Sequence, residues 1–148
     1  MNLTKNFTFE ELVASDTAKR MGLNNRPTVA QAENLQFLAE GLQRIRDILG
    51  HPMIIQSAYR SPALNRAVGG ALSSAHLEGL AADFTCPNLG PPAKIVAKLA
   101  KHPELKFDQL IFENIKGAQW VHVAFKRAEP RLQVLTINEQ GTFVGVVA

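Results

Sequence analysis

The hydrophobic period of this chain changes once, near Pro52, and that change bounds what it can fold into. Before it, Leu35, Leu38, Leu42, Ile45 and Leu49 recur at helical spacing with Gln, Glu and Arg between them, and Gly50 supplies the stop. Two earlier segments carry capping-box signals. Thr8 with Glu11 starts a helix, stapled by Phe7 and Leu12 and predicted to run to about Gly22; after a turn at Asn24–Pro27, Thr28 with Gln31 repeats the pattern. After Pro52 the runs become β-rich. MIIQSAYR reads as a strand, SPALNRAVGGALSS as a loop, AADFTC as a short buried strand and Pro91–His102 as a helix opened by two prolines. FDQLIFE, WVHVAF, QVLTIN and TFVGVV follow, the last two forming a hairpin around Glu139–Gly141. Helices first and strands later predict an α+β fold: a single domain over residues 1–148, with a mainly antiparallel sheet flanked by helices.

At 148 residues the chain can bury a core without crosslinks, and its lone cysteine, Cys86, permits no internal disulfide. The first residues lack the basic-then-apolar pattern of a signal peptide, so synthesis in the cytoplasm is expected. No stretch approaches ~18 uninterrupted apolar residues, so no membrane span is expected. The net charge of +3 suits an acidic partner. Lysines and arginines are scattered without interleaved aromatics, which argues against nucleic acid. A monomer is expected.

Chemistry concentrates in Ser74-Ala-His76-Leu-Glu-Gly79-Leu-Ala81-Ala-Asp83. Asp83 lies between Ala82 and Phe84, where a carboxylate is costly to bury unless paired or bound to a cation. Gly79, Ala81 and Ala82 leave room for close backbone approach. His122 likewise interrupts the apolar run WVHVAF. Two imidazoles and a carboxylate make a common catalytic zinc set with one open position. On spacing alone, His122 reads more readily as a hydrogen-bonded core or surface residue than as a ligand, and Asp83 as a turn cap or an arginine partner.

The run from Ile54 to Phe84 resembles the D-Ala-D-Ala carboxypeptidase family of zinc peptidases, peptidase family M15, and FDQLIFE followed by WVHVAF resembles its phage and prophage branch. Every fixed position of that family's S-x-H-x-x-G-x-A-x-D pattern is present: Ser74, His76, Gly79, Ala81 and Asp83. Ser57-Ala-Tyr-Arg60-Ser is similar to the family's S-G-Y-R-S element, with Ala58 in place of Gly, and Asn65 and Gly70 also fit. The likeness covers roughly residues 5–127, leaving a C-terminal hairpin at about 132–147 without a recognisable motif. It implies a D-Ala-D-Ala carboxypeptidase/hedgehog-like fold and one Zn2+ per chain held by His76, Asp83 and His122. It also implies hydrolysis of peptidoglycan stem peptides, by a carboxypeptidase or an endolysin-type endopeptidase acting on the cell wall after release, or from the virion.

Within that resemblance Arg60 is the arginine placed over substrate as a catalytic and binding group, and Ser74 is a substrate contact or the shaper of the turn before His76. Several relatives carry an acidic residue three positions before the last histidine. Here that position is Gln119, which can bind substrate but cannot exchange a proton. Glu113, at the end of the preceding strand, is the substitute general base, provided that its register turns it toward His122. Asp108 reads as structural, Cys86 as a buried thiol, and Trp120 and Tyr59 as core. The competing function, favoured by Gln119, is a non-catalytic zinc-binding phage or virion protein retaining the peptidase fold.

Overall fold

The computed structural model describes residues 1–147. Its first element is shorter than expected. Thr8 Oγ accepts from the Glu11 amide at 3.1 Å and the Glu11 carboxylate accepts from Thr8 N, so the capping box forms, but α1 covers only Phe9–Val13. Ala14 is extended, and Ser15 Oγ accepts from the Ala18 amide at 3.1 Å to start a separate helix, α2 (Asp16–Met21). A serine placed to cap competes with helix continuation, and here it wins. Helix α3 (Val29–Leu49) starts at the Thr28–Gln31 capping box and stops at Gly50, which is left-handed at φ 69°.

Strand β1 (Ile54–Ser57) follows. The segment expected to be all loop contains α4 (Pro62–Ala67), capped by Ser61 with a proline in the first turn. A 3-10 turn (Ala75–Glu78) leads into β2 (Ala81–Thr85), then α5 (Pro92–Leu99). The remaining strands are β3 (Phe107–Ile115), β4 (Ala118–Phe125), β5 (Gln133–Asn138) and β6 (Gly141–Val144). They form one six-stranded sheet in the order β1-β2-β4-β3-β5-β6. Every pairing is antiparallel except β3 with β5, which is parallel, so the sheet is mixed. Lys116 and Gly117, both at positive φ, turn β3 into β4, with Ile115 paired to Ala118.

Alternation along the strands gives the sheet two unlike faces. Ala82, Phe84, Leu110, Phe112, Val121 and Val123 join Leu35, Leu38, Leu42 and Ile45 of α3 and Ile95, Val96 and Leu99 of α5 in one continuous core. Gly41 lets α3 lie close to β4, since a Cβ there would meet the Phe125 ring at 2.5 Å. The opposite face carries Asp83, His122, Ile111 and Glu113. Among the described residues, no helix is long and apolar enough to cross a membrane.

Candidate metal centre

His76, Asp83 and His122 come from three different elements and meet on the core-free face of the sheet. In the β2–β4 ladder Asp83 pairs directly with His122, which puts both side chains on one face. His76 reaches them from the 3-10 turn. Ser74 Oγ accepts from the His76 amide at 3.2 Å, and the turn closes at Gly79, left-handed at φ 74°. A Cβ on Gly79 would lie 3.0 Å from the Gln31 carbonyl oxygen and 3.3 Å from Leu35, so the position needs glycine for backbone sign and for space. The serine and glycine of the motif thus hold the turn that presents His76.

Asp83 Oδ1 lies 2.9 Å from His122 Nδ1 and 3.3 Å from His76 Nε2. The two imidazoles are 5.2 Å apart, edge to face. One ligand atom from each of the three residues falls within a 4.8 Å cluster that could hold a metal ion. His76 is 2% exposed, and its Nδ1 lies 2.6 Å from the Ala58 carbonyl oxygen, which can only accept. Nδ1 therefore carries the proton, and in the neutral ring Nε2 turns a lone pair toward a carboxylate oxygen. Burial lowers the His76 pKa, only partly opposed by Asp83, which favours that neutral ring. Two lone pairs facing each other at 3.3 Å are accommodated by a cation between them. Burial alone would raise the Asp83 carboxyl, but its close contacts with the two imidazoles, that of His122 first, outweigh it and hold the group well below the usual carboxylate range.

Arg60 borders the three. Its Nε donates to Ser57 Oγ at 3.2 Å, one terminal nitrogen to Asn65 Oδ1 at 3.2 Å and the other to Asp83 Oδ2 at 3.3 Å. Asn65 also donates to the Ala71 carbonyl, and Gly70 packs so tightly here that a Cβ would sit 2.0 Å from Asn65 Oδ1. Arg60 is thus braced at the rim by the loop that the cleft shares.

Register resolves Glu113. It pairs with Trp120 two rungs beyond the Ile111–His122 pair, so Glu113 shares a face with His122 and lines the same cleft of about 720 Å³. Burial raises its pKa, the Asp83 charge adds to this, and His122, Trp120 and Arg60 oppose. Gln119 is not brought to the site. It lies an odd number of residues from His122, is exposed and pairs with Asn114, so its side chain leaves from the other face of β4.

Asp108 accepts from the Arg131 amide and from two nitrogens of its guanidinium, at 2.8–3.0 Å, and so anchors the chain entering β5. Tyr59 and Cys86 are buried in the core. Trp120, expected in the core, instead lines the cleft with its indole N–H buried and without a hydrogen-bond partner. Sequence reasoning missed the Ala58 carbonyl, the Ser57 and Asn65 braces and Ile137, which lines the cleft from β5. Ser57 and Asn65 had a signal, through their places in the motif elements, but not as braces of Arg60.

A family model described as Peptidase M15 matches residues 5–124. No curated protein matches the chain. The matched span holds His76, Asp83 and His122, the turn that presents His76 and the two strands that carry Asp83 and His122. The chain belongs to the peptidase M15 family.

Proposed function

We propose that this protein is a zinc peptidase that hydrolyses peptide bonds in peptidoglycan stem peptides, with His76, Asp83 and His122 as ligands to one Zn2+. The observation that carries the reading is the His76 geometry: a buried imidazole, its Nδ1 committed to the Ala58 carbonyl, aims Nε2 at Asp83 and His122. Tetrahedral zinc with bonds of about 2.0–2.1 Å separates its ligand atoms by roughly 3.3 Å. The observed 3.3 and 2.9 Å separations are near that spacing. A fold of the D-Ala-D-Ala carboxypeptidase/hedgehog type is in keeping with ligands drawn from one turn and two neighbouring strands.

His76, Asp83 and His122 would hold the zinc ion, which when bound would supply Lewis-acid polarisation of the scissile carbonyl and a more acidic water. Glu113 takes the proton from the attacking water and delivers it to the leaving nitrogen as the C–N bond breaks. Its burial-raised pKa suits a group that must both accept and return a proton. Arg60, steadied by Ser57 and Asn65, directs its remaining donor capacity at the carbonyl oxygen or a peptide carboxylate. Ser74 serves by shaping the turn before His76. The non-catalytic alternative drew on Gln119, and that residue lies outside the cleft.

Release of the enzyme from a cytoplasmic site of synthesis to the wall, as a monomeric endolysin, belongs to the same reading. The test is digestion of purified peptidoglycan with and without a chelator, followed by zinc addition. New amino groups should appear only with metal, and the released fragments identify the bond. One zinc bound per chain with no stem-peptide bond cut sinks the peptidase reading.

A further inference from the structure

The family match ends at residue 124, but the cleft does not. After β4 the chain crosses to the far side of β3 and returns as β5, parallel to it, with Ile137 paired to Glu113. Neighbouring strands lie ~4.8 Å apart, so Ile137 flanks Glu113 on one side as Trp120 flanks it on the other. Ile115, two residues further along β3, projects from the same face. All three line the cleft, and Ile115, Ile137 and Trp120 are each only partly buried. The rung behind them holds His122 and Asp83. Passing from the metal ligands beyond Glu113, the cleft changes from charged to apolar.

We propose that the C-terminal hairpin builds the subsite for the substrate residue on the amine side of the scissile bond. Ile137, with Ile115 and Trp120, selects an uncharged aliphatic side chain there. The inference rests on the peptidase reading, and the direction follows from proton bookkeeping. The water oxygen bonds to the carbonyl carbon, the C–N bond breaks, and the proton held by Glu113 passes to the departing nitrogen, with nothing oxidised or reduced. The residue bearing that nitrogen therefore lies against Glu113, and its side chain falls among the apolar groups around that carboxyl.

The experiment uses two synthetic stem peptides differing only after the bond identified in the digest, one with alanine and one with glutamate of the same configuration. The wild-type protein should favour alanine by about tenfold or more in kcat/KM. Ile137→Lys and the milder Ile137→Ser should shrink that ratio about tenfold while still binding one zinc. Affinity of the alanine peptide for Glu113→Gln protein, by calorimetry, should fall when Ile137→Ser is added. If the wild type cuts neither peptide, the peptidase reading fails and takes this subsite with it. If the wild type cuts both equally, or the folded Ile137 variants keep the full preference, the subsite assignment alone is overturned.

Discussion

Asp83 takes its role from the residue opposite it. The cost of a carboxylate in an apolar strand was visible in the sequence, and so was the pattern joining it to His76. The atom that settles the His76 tautomer, the Ala58 carbonyl, leaves no side-chain trace in sequence. Glu113 and Gln119 show the same limit. Both precede His122 at reasonable spacing, and only the pairing of Glu113 with Trp120 decides which faces the cleft. Glu113→Gln should leave one zinc per chain by metal analysis and reduce turnover about 10²–10⁴-fold, whereas Gln119→Ala should change neither. Glu113 also carries a stability signature. Its folded pKa is raised above the ordinary 4.5, so the folded state binds this proton more tightly than the unfolded chain. Stability contributed by the neutral form is complete below that ordinary value and is lost as pH rises toward the folded pKa. In metal-free protein, Glu113→Gln should therefore gain on the wild type between pH 4 and pH 7 in urea unfolding; a constant difference would contradict the burial of this carboxyl.

At the level of elements, caps were the most readable signals and pairings the least. Both capping boxes form as their sequences indicate. The first helix nevertheless breaks, because Ser15 caps a second one, and α4 emerges inside a stretch rich in Gly, Ser and Asn because Ser61 and Pro62 start it. These are short-range preferences close in energy, and contacts elsewhere choose between them. The 3-10 turn is less negotiable. Gly79→Ala must adopt positive φ against the Gln31 carbonyl, which should cost about 1 kcal/mol or more in chemical denaturation. Because that turn presents His76, the same substitution should weaken zinc binding, as a competition titration against a chelating dye would read. Unchanged affinity would mean that His76 is held by its Ala58 hydrogen bond alone.

Across the whole molecule, the cluster of His76, Asp83 and His122, which could hold a metal ion, draws on the turn, β2 and β4 at once. Metal binding is then linked to folding: zinc at about 100 times its Kd should add roughly 2.7 kcal/mol to unfolding free energy. That increment should vanish in Asp83→Ala, and a thermal melt with and without zinc would show it. The broad class was legible, since helices do precede strands. The parallel β3–β5 pairing was not, because a hydrophobic run says nothing about which neighbour it chooses. That pairing has an evolutionary consequence. The strand that supplies Ile137 is next to last in the sheet, two strands from β4 with its His122, and its ladder partners are β3 and β6. Mutation there can retune which substrates are accepted while leaving the metal geometry untouched, so lineages of this fold can diversify in diet before they change chemistry.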